Sequence, residues 1–263
     1  GGSGADTFIM MSGSDVLTGG LGTDTLDVDL GAVLGGISVD LSSETNQVAS
    51  MDGGAISGTV LGFEDVDLSG YTGFGAVVQA ISTGSTITGT GSTDRITGGA
   101  SADTITGAGG ADVISAGSGD DTLVYKLTAD LFSSQAIVDT SINGGSGTDT
   151  FEVGTSGTAF AIADDDVFTG ITSVETIKSV ANTEALSINL DVTAYAAGIR
   201  TVDISLADSG ANGSNLIDIS EFTGTEATTL IGADGAGTQA IKGGAGVDSI
   251  TGGAGVDTIT GGG

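Results

Sequence analysis

The sequence predicts an all-β protein, a parallel β-solenoid built of short stacked coils. Three observations predict it. A glycine-rich unit of nine residues recurs in tandem register. Each unit holds one apolar residue between polar neighbours. The segments between the units alternate apolar and polar residues, and helix signals are poor throughout.

Written G-G-x-G-x-D-x-U-x, with U apolar, the unit is complete in GGSGADTFI from Gly1, GGLGTDTLD from Gly19, GGSGTDTFE from Gly144, GGAGVDSIT from Gly243 and GGAGVDTIT from Gly252. MMSGSDVLT from Met10, GTGSTDRIT from Gly89, GGASADTIT from Gly98, GAGGADVIS from Gly107 and AGSGDDTLV from Ala116 keep the aspartate and the apolar residue but lose glycines. AISTGSTIT from Ala80 and DGAGTQAIK from Asp234 extend the register, with Ser85 and Gln239 in the aspartate place. Glycine reaches backbone angles closed to other residues, so G-G-x-G-x-D makes a tight turn with its carbonyls facing inward. The next three residues form a short strand whose middle residue alone points inside. Phe8, Leu17, Leu26, Ile96, Ile105, Ile114, Leu123, Phe151, Ile250 and Ile259 are therefore the expected core, and the threonines beside them face out. One such strand cannot hold itself together. Two units make a coil of 18 residues, and stacking pairs each strand with those above and below.

The remaining segments are strand-like as well. GISVDL (Gly36–Leu41), AVVQAI (Ala76–Ile81), LSINLDV (Leu186–Val192) and NLIDIS (Asn215–Ser220) alternate. GFEDVDL from Gly62, GITSVET from Gly170 and GIRTVDI from Gly198 share a weaker pattern, glycine, apolar, two residues, valine and an acid, each read as a turn followed by a strand. ANTEALS (Ala181–Ser187) and SSQAI (Ser133–Ile137) give at most a turn of helix. The expected organisation is one continuous solenoid cut from a longer protein. It has nonapeptide blocks at 1–27, 80–124 and 234–263, irregular coils at 28–79 and 153–233, and a connector at 125–152 that carries one unit.

Stacking brings the turn aspartates to the strand spacing of about 4.8 Å, where a column of like charges repels itself. A hard divalent cation between successive turns removes the problem, with carboxylates and peptide carbonyls as oxygen ligands. Calcium suits an irregular, carbonyl-rich cage better than magnesium does, and with no His or Cys the ligand types exclude zinc. The alternative is that glycine turns and aspartates cap a solenoid without metal, since aspartate is a good turn residue in its own right.

The ten units resemble the RTX (repeats-in-toxin) calcium-binding nonapeptide, and the interleaved segments resemble, more loosely, RTX-type bacterial surface-layer proteins. The resemblance implies a right-handed parallel β-roll with Ca²⁺ between turns 18 residues apart. It implies Asp6, Asp15, Asp24, Asp94, Asp103, Asp112, Asp121, Asp149, Asp248 and Asp257 as metal ligands, with Asp6 beside Asp24, Asp94 beside Asp112 and Asp103 beside Asp121. Asp15, Asp149, Asp248 and Asp257 have no aspartate at that offset, although Gln239 offers an amide oxygen near Asp257. The resemblance also implies type I secretion and folding on calcium outside the cell. Asp164, Asp165 and Asp166 read either as an extra ligand set near Asp149 or as a solvated loop.

Composition narrows the function. The chain has 263 residues and a net charge of −29, from 34 acids and 5 bases. That balance argues against nucleic acid and against anionic membrane surfaces. No apolar run approaches the ~18 residues of a membrane span. At 38% apolar with a mean hydropathy of +0.30, the chain is no disordered acidic tail. Without His or Cys, serine or cysteine triads are impossible, and the expectation is that the chain is not an enzyme. Arg200 reads as an exposed strand residue rather than the base of a polysaccharide-cleaving site. The leading reading is a calcium-rigidified structural segment of an extracellular, cell-surface protein such as a surface layer or fibre. Its partners are calcium ions and further copies of itself. Alternatives are an adhesin stalk or binding module, the calcium-binding tail of a secreted enzyme, and ice binding through outward threonines such as those of DTIT at 103–106 and 257–260.

Overall fold

The structure is a computed structural model that describes residues 1–11, 15–32, 35–51, 54–55, 58–134, 136–181, 185–207, 214–235 and 237–263, without the side chains at 31–32, 54–55 and 136–137. Part of the unit at Met10–Thr18 and residues 182–184 of ANTEALS thus lie outside the described residues. The chain forms two compact units, Gly1–Leu123 with Asp139–Gly147, and Val124–Val138 with Thr148–Gly263.

The first unit is built on two parallel sheets. One sheet runs, within this unit, through Thr7–Met10, Thr25–Val28, Asp65–Asp67, Thr86–Thr88 and Thr104–Thr106 to the start of Thr122–Tyr125. Its inward residues stack in one column, Phe8 on Leu26, Val66, Ile87, Ile105 and Leu123. The other sheet stacks Val39, Val78, Ile96, Ile114 and Ile142. It is parallel from Ile37–Asp40 through Ala76–Gln79, Arg95–Thr97 and Val113–Ser118 to Ser141–Ser146. Beyond Ile37–Asp40 it turns antiparallel, with Val48–Met51 and Gly54–Ala55.

The second unit repeats the plan with longer, irregular coils. Phe151, Ile177, Val202, Leu230 and Ile250 form one column, and Ile162, Ile188, Ile217, Ile241 and Ile259 the other. Each sheet is parallel, because every coil returns the chain to the same side before adding the next strand. This is the parallel β-solenoid the repeat predicts. Phe151 is fully buried and packs edge-on to Tyr125, with centroids 5.4 Å apart. Phe151→Ala should cost about 3–5 kcal/mol in chemical denaturation, as a large cavity in a column with no room to collapse does.

The structure departs from the sequence reading at several places. Ile259, expected in the core, is 50% exposed, because its strand Val256–Thr260 is paired on one side only. Phe8, Leu17 and Ile250 are half-buried. LSINLDV forms the expected strand at Leu186–Asn189, and a helix that the sequence reading did not expect follows at Val192–Ala197. Asp191 caps it by accepting from the Thr193 and Ala194 N–H groups, and Gly198 closes it at φ 118°. A one-turn helix at Thr128–Leu131 was likewise unforeseen. SSQAI belongs instead to an antiparallel pair, Phe132–Ser133 with Ala136–Ile137, its residue 135 lying outside the described residues. In the weaker repeat, Gly62, Gly170 and Gly198 all take positive φ, as a turn requires. GFEDVDL and GIRTVDI bury their valines within strands, but GITSVET does not: Val174 and Glu175 precede the strand Thr176–Ser179.

Candidate metal centre

At Asp6, Asp24, Asp94, Asp103, Asp112, Asp121 and Asp149 the strand begins at the residue after the aspartate, whereas at Asp248 and Asp257 the strand already includes it. The strands are in register, so the aspartates stack on successive coils. A hydrogen bond joins each step: the main-chain N–H of one aspartate donates to the carboxylate Oδ1 of the aspartate 18 residues on. The distances are 2.9 Å for Asp6 to Asp24, 2.7 Å for Asp94 to Asp112 and 2.8 Å for Asp103 to Asp121. These are the three pairs expected from the 18-residue spacing.

The second carboxylate oxygen points back over its own turn. A Cβ built on Gly19 would sit 2.7 Å from Asp24 Oδ2, one on Gly98 2.7 Å from Asp103 Oδ2, and one on Gly107 2.5 Å from Asp112 Oδ2. The first glycine of the unit is therefore needed for space. The glycine at the fourth position is needed for conformation, as at Gly22 with φ 129°. In the regular coils a carbonyl of the next coil faces the same point: Gly19 O above Gly1, Gly107 O above Gly89 and Ala116 O above Gly98. A carboxylate oxygen and a peptide carbonyl thus converge where only glycine leaves room.

Burial makes these oxygens costly. Asp24, Asp94, Asp103, Asp112, Asp121 and Asp149 are almost wholly withdrawn from solvent. Asp24 Oδ2, Asp112 Oδ2, Asp248 Oδ2 and Asp257 Oδ1 are buried with no hydrogen-bond partner. An unsatisfied buried carboxylate oxygen calls for a cation or a proton. Where serine replaces the glycine of the fourth position, at Ser92 and Ser101, the protein supplies more of its own donors. Asp94 accepts from Ala76 N–H, Thr90 N–H and the Thr90 hydroxyl, and Asp103 from Ser85 N–H and Gly99 N–H.

The electrostatics follow. Burial pushes the Asp112 carboxyl up to about 8; the Asp94 N–H opposes this, and the Asp139 and Asp94 carboxylates reinforce it. Asp94 and Asp103 are also raised, first by burial. A carboxyl raised above its ordinary 3.8 holds a proton in the fold that the unfolded chain has released. The calcium-free fold therefore has its full stability from this group below about pH 4 and loses it as pH rises through about 8. Melting temperature in chelator should fall across that window, and saturating calcium should flatten the fall, because metal and proton compete for the same oxygens.

The remaining expected ligands are placed differently. Asp149 donates its N–H to Glu175 Oε2 at 2.8 Å. Asp248 Oδ1 accepts from the Thr228 hydroxyl at 2.6 Å. Asp257 stands opposite Gln239, whose amide closes onto its own turn instead, accepting from Ala233 N–H and donating to Ala233 O, both at 2.6 Å. Asp15 lies outside the aspartate columns, with Gly58 against its backbone. Asp166 accepts from Ala163 N–H, which closes its own loop, while Asp164 and Asp165 are exposed. Among the described residues no three acidic side chains gather at one point. The donor set is one or two carboxylates with carbonyls at each step.

Three acids outside the nonapeptides hold the same place in the columns. Asp24 N–H donates to Glu64 Oε2, Asp112 N–H to Asp139 Oδ1 and Asp149 N–H to Glu175 Oε2, over separations of 40, 27 and 26 residues. With no constant period they escape a search for repeats. The usable signal is an acid one or two residues before an apolar strand.

The family model for the RTX calcium-binding nonapeptide repeat, in four copies, matches residues 1–32, 88–123 and 229–263. These blocks are RTX calcium-binding repeats. Among curated proteins none matches the chain. RTX repeats bind calcium and are typical of secreted, extracellular bacterial proteins, and the three matched blocks, which together cover less than half of the chain, are calcium-binding repeats of that kind. The residues fit the ion: hard oxygen donors only, buried carboxylate oxygens without partners, and a gap held open by glycine. Asp6 with Asp24, Asp94 with Asp112 and Asp103 with Asp121 would hold it, together with the turn carbonyls. When bound, the ion supplies double positive charge between neighbouring carboxylates. In the RTX coils the chain aligns the acids, excludes water from them and keeps their main-chain donors satisfied.

Arg200 is not the exposed strand residue that the sequence suggests. Its guanidinium lies 3.6 Å from the Tyr195 ring centroid and pairs with Glu226 at 2.6 Å. The Arg200 hydrogen bond, and then its charge, hold Glu226 below the usual carboxylate range. Its donors are committed to holding a bend.

Proposed function

We propose that this segment is a calcium-rigidified scaffold of a bacterial cell-surface assembly, a surface layer or an extracellular fibre, that folds on meeting calcium outside the cell. The reading is non-catalytic. The observation that carries it is the spread of RTX blocks, which stand at 1–32, 88–123 and 229–263 with solenoid coils between them. A calcium-binding tail of an enzyme would gather its repeats in one block beside a catalytic domain. Extracellular calcium modules bind at about 10⁻⁴–10⁻³ M, so the acidic columns would stay loose where calcium is scarce and close where it is plentiful.

Calcium titration followed by light scattering and electron microscopy tests the proposal. Sheets or filaments at millimolar calcium are expected. A particle that folds on calcium and stays monodisperse would point to the adhesin stalk instead.

A further inference from the structure

We infer that Glu64, which belongs to no nonapeptide, is a calcium ligand that extends the acidic column one step beyond Asp24. The inference rests on calcium binding by the regular turns and adds a member to it. Glu64 stands where the next aspartate would stand. Thr25 pairs with Asp65, so Glu64 faces Asp24 across the sheet, and Asp24 N–H donates to Glu64 Oε2 at 2.8 Å. That is the same link, to the same atom type, as the one joining Asp6 to Asp24 at 2.9 Å.

The rest of the regular step is reproduced around it. In the regular step from Asp6 to Asp24, a Cβ on Gly1 would meet Asp6 Oδ2 and the Gly19 carbonyl oxygen together. One step on, a Cβ on Gly19 would meet Asp24 Oδ2 at 2.7 Å and overlap the Gly62 carbonyl oxygen. Gly62, at φ 71°, thus aims its carbonyl at the point where the first residue of a nonapeptide would aim its own. Asp24 is fully buried, and the Oδ2 that points there has no hydrogen-bond partner. The two salt bridges among the described residues, Arg200 with Glu226 and Lys242 with Asp218, place no protein cation at this step. A buried carboxylate oxygen and a carbonyl meet at this point, and the Glu64 carboxylate lies one hydrogen bond away on the Asp24 N–H, so the step offers only hard oxygen donors of the kind a divalent cation takes.

Equilibrium dialysis against radiolabelled calcium, with circular dichroism on the same samples, decides the matter. Glu64→Gln keeps an oxygen that accepts from Asp24 N–H and removes the charge. Glu44→Gln removes the same charge from an exposed loop position. The expected result is one bound ion fewer per chain in Glu64→Gln, an unchanged count in Glu44→Gln, and full β-sheet signal for both in saturating calcium. An unchanged ion count in Glu64→Gln overturns the inference while leaving calcium binding by the regular turns intact. A wild-type chain that binds no calcium overturns both. If Glu64→Gln loses its β-signal, Glu64→Asp restores the charge: recovery of signal and ion count supports the ligand role, and continued loss of fold overturns it.

Discussion

Adding excess chelator to the folded protein should remove much of its β-sheet circular dichroism, and the loss should fall on the nonapeptide coils. Two carboxylates at the strand spacing of about 4.8 Å repel by about 3–4 kcal/mol at an effective dielectric near 20, and the repulsion recurs at every step of a column. Against this, each site bathed in calcium at about ten times its Kd gains about 1.4 kcal/mol of stability from binding alone. A handful of sites then rivals the roughly 5–15 kcal/mol that holds a whole domain together. The coils between 186 and 231 should resist longer. Their corresponding bends use groups that need no cation: Asn215 Oδ1 accepts from Leu186 N–H at 2.8 Å, and Arg200 pairs with Glu226. Hydrogen exchange read peptide by peptide should show protection persisting there after it is lost at 89–123.

Gly98→Ala should be among the most damaging single methyl additions in the first unit. The new carbon would overlap the Ala116 carbonyl oxygen and lie 2.7 Å from Asp103 Oδ2. The carbonyl is backbone in a paired coil and cannot turn aside, so the strain goes into the stack. A cost of about 3 kcal/mol or more is expected, at the upper end of overpacking, with loss of the calcium that the Asp103 turn holds. Gly91→Ala is the matched control. Nothing lies within 4 Å of its Cβ position, so it should stay within about 0.5 kcal/mol of wild type. Thermal melts in saturating calcium separate the two. Equal melts would mean that the glycine is a relic of turn chemistry and that no crowded cage exists at the bend.

The parts of this molecule legible in its sequence are those that repeat. The column Ile87, Ile105, Leu123 and the pair Asp103 and Asp121 follow from one period, because pleating puts every second side chain inside and the coil length brings like residues together. Glu64 and Glu175 stand within the quoted GFEDVDL and GITSVET, yet their role was hidden. It depends on loop lengths that bring them beside Asp24 and Asp149, and loop length carries no local signal. The helix Val192–Ala197 carries its own signals, an aspartate cap and a closing glycine, directly after the strand Leu186–Asn189 that LSINLDV predicts. Ile259 carries the core pattern and is exposed all the same, since burial of a solenoid residue depends on having a neighbour on both sides.

The claim beneath all of this is that the stacked acids hold calcium. Crystals grown in millimolar calcium, measured at a wavelength where calcium scatters anomalously, test it most directly at the turns of Asp94, Asp103, Asp112 and Asp121. The account predicts anomalous peaks where the carboxylate of one coil meets the carbonyl of the next, beside Gly89 and Gly98. Ordered turns at those positions with water alone between the carboxylates would contradict it.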